Sequence, residues 1–364
     1  MFAFLIVMNQ QNIINKLIAV INQLVFIILI LVLAIVIVIF KFYDNNNPGM
    51  AELKRSDTIS NTKKDTVDYW KPKDINLITD KSLKEKVEYG RDLIAHTAKY
   101  LGPQGSVMKI TNGLNCQNCH LQAGTVIFGN NYGSVNALYP KFRVRSGSIE
   151  NLYKRVNDCI QRSLNGIAID TNGNEMQAIT AYINYIGSNV EKGKKASGSG
   201  FKDLAFLDRA ADPIKGMTVY EAKCQSCHQP DGQGLLNNNK NEFIYPALWG
   251  EHSFNDGAGL YRISNFAKYV KCNMPQGTTF KSPQLTDEEA WDVAAFVVSQ
   301  SRPHKSVPLD WPDLSKKPVD LPFGPYVDQF KELQHKYGPF KPIVDAQKKS
   351  EELLKTKNKT VAIK

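Results

Sequence analysis

The chain has 364 residues, 43% hydrophobic and 22% charged, with a formal net charge of +10. This length holds two modest domains plus extensions. The aromatic content of 10% excludes a disordered chain, and six cysteines in this length exclude a small disulfide scaffold. Basicity alone does not choose among nucleic acid, anionic lipid and an anionic substrate.

Leu24–Phe40 is an unbroken run of 17 apolar residues, and Leu17–Ile21 extends it to 24 positions with only Asn22 and Gln23 between. That length crosses a bilayer at about 20 residues per span. The run exceeds a signal peptide's apolar region, and Ile37–Tyr43 offers no A-x-A-like cleavage site. An uncleaved single-span anchor is therefore expected, with a cleaved signal as the alternative. Lys16 before the run and Lys41, Lys54 and Arg55 after it leave the orientation open.

The expected order is an N-terminus (1–16), an anchor (17–40) and a polar tether (41–76). A first domain (77–190), a linker (191–211) and a second domain (212–302) follow. An extension (303–364) rich in proline and then lysine is expected to wrap the surface. The segment 191–200 reads as a linker by composition. Thr286 and Glu289 mark a capping box ahead of the apolar positions Trp291, Val293, Ala294 and Phe296–Val298. The two domains form a loose repeat. A helix with glycine and an aromatic (Tyr89 and Gly90; Gly216 and Tyr220) precedes Cys-x-x-Cys-His, and an amphipathic helix (Ala181–Ile186; Trp291–Val298) closes each half. Alternating β-branched runs are few, so the fold class is mainly α: two cytochrome c-like haem domains in tandem, after a single transmembrane helix and before a wrapping C-terminal extension.

Cys116–His120 and Cys224–His228 are c-type haem attachment motifs. Two thiols about a helical turn apart each add to one vinyl group, and the following histidine meets the iron. Two occurrences exclude coincidence, and no second Cys/His pair has zinc-finger spacing. Two covalent haems are expected, tethered by Cys116, Cys119, Cys224 and Cys227 and ligated by His120 and His228. Haem c is attached outside the cytoplasmic membrane, so the N-terminus is expected to be cytoplasmic and the haem domains periplasmic.

The sixth ligand of each iron sets its potential. For the second haem the candidate is Met274, before Pro275 and 46 residues after His228. His252, Lys271 and Cys272 are rivals nearby. The first domain has no methionine in a comparable place, and Met176 suits core packing. Cys159 has three readings: a buried core cysteine, a disulfide partner of Cys272, or a reactive thiolate. Helical spacing puts Arg155, Cys159 and Ser163 on one face. Cations favour thiolate. Arg143, Arg145, Arg155 and Arg162 around one cysteine fit a pocket for a small dianion, a solvated basic face being the ordinary alternative.

These residues resemble the di-haem thiosulfate dehydrogenases of sulfur-metabolising bacteria. The likeness includes Leu114–Thr125, Tyr139 with Pro140, Arg143 and Arg145, and Arg155–Gly166. It continues through Pro246–Gly250, Ser253–Gly259, Asn273–Pro275 and Glu289–Phe296, ending with Pro322–Tyr326 and His335–Pro339. The resemblance implies an enzyme that couples two thiosulfates to tetrathionate or runs the reverse. It implies that Cys159 is the distal thiolate of the first haem, and that Arg145, Arg155 and Ser163 hold the sulfur substrate. It further implies that His228 and Met274 ligate the second haem, the exit toward an external acceptor such as a small cytochrome c or a membrane quinone enzyme. Leu260, where the family often has methionine, and Cys272 depart from the pattern.

The alternative function is a non-catalytic, membrane-anchored electron carrier, which needs two stably six-coordinate haems and no substrate pocket. A di-haem peroxidase is disfavoured, because a thiolate would cap the iron where peroxide binds. The charge also divides. From Lys331 onward nine lysines face four acids, and four haem propionates lower the total to about +6. No nucleic-acid partner is expected.

Overall fold

The computed structural model describes residues 21–38 and 67–361. The expected N-terminus, most of the tether and both ends of the anchor lie outside these residues. Helix α1 (Ile21–Val38) is apolar apart from Asn22 and Gln23, exposed along its length, and long enough to cross a membrane. It belongs to a unit separate from the body.

The first half of the body begins with α2 (Lys81–Ala95) and α3 (Thr97–Leu101), a helical stretch broken at His96. The side chain of Asp80 caps α2 by accepting from Leu83 N at 2.7 Å. Single turns α4 (Leu121–Gly124) and α5 (Val135–Leu138) follow, then the hairpin β1 (Lys141–Arg143) and β2 (Ser148–Glu150). Its register sets Phe142 opposite Ile149, both exposed. Helix α6 (Leu152–Arg162) is capped by Asn151, and α7 (Asn174–Ile186) closes this half.

The second half repeats the plan. Helix α8 (Pro213–Lys223) starts with proline in its first turn and Asp212 as cap. The turn α9 (Gln225–His228), the hairpin β3 (Leu235–Leu236) and β4 (Phe243–Tyr245), and α10 (Ile263–Asn273) lead to α11 (Asp287–Ser299). The capping box is present: Thr286 Oγ1 accepts from Glu289 N at 3.1 Å, and Glu289 Oε2 accepts from Thr286 N at 2.8 Å.

Each half is built on one crossing of its first and last helices. A methyl group at Gly90 of α2 would collide with the Ala178 carbonyl of α7. At Gly216 of α8 it would collide with the Asp292 carbonyl of α11. The two glycines let the backbones touch, which explains why each repeat carries one. Around the first crossing lie Leu93, Met176, Tyr182 and Ile186, and around the second Tyr220, Trp291, Ala294 and Val298. Met176 is fully buried in the first core.

The stretch that reads as a linker is fastened to the first half. Trp70 and Phe128 donate backbone N–H groups to Ser197 O and Gly198 O, and Ser134 and Ser199 share a hydrogen bond of 2.6 Å. Beyond Pro303 the extension returns over the body. Asp320 takes Arg262 and Ser264, while Phe340 and Ile343 fill the second core. The short helix α12 (Glu332–Tyr337) and the long helix α13 (Lys341–Val361) end the described chain.

Candidate active site and haem sites

The first attachment motif sits between α3 and α4. Cys116 N donates to Thr97 Oγ1 at 3.0 Å, and Ala98 N donates to Asn115 Oδ1 at 2.8 Å, so α3 fixes the start of the motif. His120 Nδ1 lies 2.6 Å from Asn130 O. A carbonyl only accepts, so Nδ1 carries the proton and Nε2 is left bare for a metal. The ring stacks on Tyr132 at 4.6 Å, and the Tyr132 ring packs where a side chain at Gly124 would stand. Burial pushes His120 down to about 4 and Cys116 and Cys119 up to about 11 and about 12.

The second motif repeats this geometry. His228 Nδ1 lies 2.9 Å from Pro246 O, and burial again lowers its basicity. Cys224, Cys227, His228, Tyr245 and Met274 line one mostly apolar cavity of 760 Å³. Met274 follows the last turn of α10. None of the three rival ligands lines the cavity. Lys271 Nζ is held by Leu285 O at 2.6 Å and Asp287 at 2.7 Å. Cys272 is buried in α10, and His252 packs against Phe243.

The donor sets therefore fit two covalent haems: paired thiols, a histidine with a free Nε2, and apolar space at the second motif. The cavity reaches Cys119 of the first motif. Tyr269 of α10 donates to Asn118 O at 2.7 Å, and Asn273 donates to Phe128 O at 3.2 Å. The two motifs thus share a wall.

Helix α6 brings Arg155 and Cys159 to the first motif, one turn apart. Ser163, at the helix C-cap, donates its N–H to Cys159 O at 2.8 Å. Burial is the main cause that raises Cys116, Cys119, Tyr132 and Tyr139, and negative charge at Cys159 adds to it. The same charge is the main cause that raises Arg155 above the ordinary guanidinium value. Cys159 and Cys272 are both free thiols, so no disulfide joins them.

The four arginines divide into two sets. Arg143 Nε lies 3.7 Å from the buried Glu150. Arg162 makes a forked pair with Asp310 at 2.8 Å on both arms, and Arg145 Nε lies 3.8 Å from the same carboxylate. Arg155 alone of the four has no carboxylate within 4 Å among the described residues. Sequence reasoning missed Glu150, Tyr132 and Asp310. A buried acid two residues beyond a turn leaves no motif, and Asp310 lies 148 positions from its partner.

Two such motifs, each closed by a histidine with its Nδ1 fixed by a carbonyl, define a mainly helical di-haem c-type cytochrome. Residues 107–191 match the model of the SoxA/TsdA cytochrome c domain, and residues 214–301 match that of cytochrome c. A thiosulfate dehydrogenase of Psychrobacter arcticus is 33% identical over 66% of this chain and 71% of its own length. One of Allochromatium vinosum is 34% identical over 62% of this chain and 82% of its own. The as-isolated structure of the thiosulfate dehydrogenase TsdBA from Marichromatium purpuratum superposes with a TM-score of 0.60 at 28% identity. That match covers 65% of this chain and 50% of the other. The chain belongs to the thiosulfate dehydrogenase family of oxidoreductases and carries two c-type haems.

Proposed function

We propose that this protein oxidises thiosulfate by coupling two molecules to tetrathionate, with the reverse reaction open to it, and passes the electrons to an external acceptor. The observation that carries the reading is the placement of Arg155 one turn before Cys159 on α6, with no carboxylate within 4 Å of Arg155 among the described residues. A guanidinium left without a carboxylate in a half-buried site is a receptor for an oxyanion. In this reading Cys159 would help hold the first haem and Met274 the second. Arg155, Arg145 and Ser163 hold the sulfonate ends. The haems supply one-electron acceptance, and thiolate at one with thioether at the other orders their potentials toward the second.

The residues then do the following. Two unit negative charges about 4 Å apart repel by about 4 kcal/mol at an effective dielectric near 20. The arginine charges offset this and align the sulfonates. The Cys159 sulfur and the outer sulfur of one thiosulfate form an S–S bond as two electrons leave, giving a cysteinyl adduct of charge −1. A second thiosulfate attacks the adduct sulfur that bears the sulfonate. Cys159 leaves as thiolate with the bonding pair, and tetrathionate is released. Charge totals −3 on both sides of this step, and no proton moves.

α1 anchors the protein, with the haem domains on the outer, periplasmic side of the cytoplasmic membrane. Turnover of Cys159→Gly tests the reaction. A loss of at least about 100-fold in kcat with both haems attached is expected from removal of a nucleophile, and wild-type turnover would overturn the proposal.

A further inference from the structure

The C-terminal extension reaches the first haem site through two residues. Asp310 is 13% exposed at its side chain and forks onto both terminal nitrogens of Arg162 at 2.8 Å, with Arg145 Nε at 3.8 Å. Trp311 donates its N–H to Arg145 O at 2.6 Å and lays its ring 5.5 Å from the Arg145 guanidinium. Trp311 does this at a φ of +62°, a left-handed conformation that costs a bulky residue energy and persists only when its surroundings hold it. Arg145 and Arg162 also both donate to Gly257 O at 3.3 Å. Three distant stretches of chain meet here: the hairpin and α6, the loop around Gly257, and the extension. The loop and the extension are themselves tied, since Asp256 accepts from Lys305 N at 2.8 Å and bonds His304 at 2.6 Å.

One carboxylate therefore serves two guanidinium groups and leaves one positive charge over. Its hydrogen bonds to Arg162 are short and forked, while its approach to Arg145 is long and single. Burial and the neighbouring Arg162 charge push Arg145 down to about 10. Arg162 is consumed by the pair, whereas Arg145 keeps donors to spare and is fixed in direction by the Trp311 ring, Gly257 O and Asp310.

We propose that Asp310 is a positioning residue for thiosulfate: it acts through Arg145, holding that guanidinium where it meets the substrate. The proposal rests on the reading of Arg145 as a substrate contact. It makes the C-terminal extension part of the active site.

A double-mutant cycle on the full, haem-loaded chain tests it, using Arg145→Gln, Asp310→Asn and the combination. The readouts are KM and kcat for thiosulfate and the Kd for tetrathionate by calorimetry without an electron donor. Asp310→Asn is expected to raise KM and Kd by about tenfold, the range of a lost charge-assisted contact, with kcat changed less than about twofold and haem spectra unaltered. The double variant is expected to bind no more weakly than Arg145→Gln alone. If Asp310 merely fastens the extension, KM stays at the wild-type value or the two effects multiply, and either result overturns the proposal. Asp310→Glu keeps the charge and shifts it by one methylene. It carries the same cycle should Asp310→Asn fail to load both haems. Arg145→Gln separates the two failures: normal KM in that variant overturns the substrate role of Arg145, whereas raised KM there with normal KM in Asp310→Asn overturns only the role of Asp310.

Discussion

Arg155 is raised above the ordinary guanidinium value, chiefly by the negative charge it faces at Cys159, so it stays cationic across the neutral range. Burial and the neighbouring Arg162 charge lower Arg145 to about 10. If, as proposed, the cationic form binds the dianion, affinity is lost as pH rises toward that value and is flat below it. Thiosulfate affinity measured against pH is expected to be constant across the neutral range. A transition between about pH 6 and 8, where histidines titrate, would contradict this assignment. Arg155→Gln is expected to raise KM for thiosulfate by about 10- to 100-fold, the worth of a buried charge-assisted fork, with haem absorption unchanged. Unaltered kinetics would remove Arg155 from the site. At the other haem, replacing the Met274 thioether by the stronger donor in Met274→His is expected to lower the midpoint potential, read by a spectroscopic redox titration. An unchanged potential would mean that Met274 is not the ligand. At this scale the attachment motifs were plain in the sequence because covalent chemistry demands fixed spacing. The sharing of the arginines was not, because Glu150 and Asp310 become their partners only when the hairpin closes and the extension returns.

The helices show what periodic pattern can and cannot convey. The glycine-bearing helices, the closing helices and the Thr286–Glu289 box were all readable, since each rests on contacts within a few residues. The binding of segment 196–199 to Trp70, Phe128 and Ser134 was not, since a run of Gly, Ser and Lys has the same composition whether free or fastened. Gly90 and Gly216 give this scale its test. Alanine at either site gains about 1 kcal/mol of helix propensity. It also drives a methyl group into the facing backbone, an overpacking worth roughly 1–3 kcal/mol. The second effect is expected to win, so both variants should unfold at lower temperature than the wild type in thermal melts. A rise in melting temperature would show that the helices do not cross as tightly as described.

For the whole molecule, the body places two haem motifs against a common wall and folds the extension back onto Arg145 and Arg162 and into the second core, with a spanning-length helix ahead of the body in sequence. The membrane reading predicts that the full chain stays in the membrane pellet after an alkaline carbonate wash, which strips proteins held only by charge. Release into the supernatant would contradict an anchor. The net charge of +10 has a local meaning at this scale: Glu150 and Asp310 face three of the four arginines, so two positive charges are left over, one of them on Arg155, which has no carboxylate within 4 Å among the described residues. The central claim is that this arrangement couples two thiosulfates through Cys159. The most direct measurement is a titration of the full, haem-loaded protein with thiosulfate, following haem reduction by absorbance and tetrathionate by quantitation of the same samples. The account predicts one tetrathionate for every two electrons taken up, and neither product nor reduction in Cys159→Gly. Thiosulfate that leaves the haems oxidised, or reduction that persists in Cys159→Gly, would contradict it.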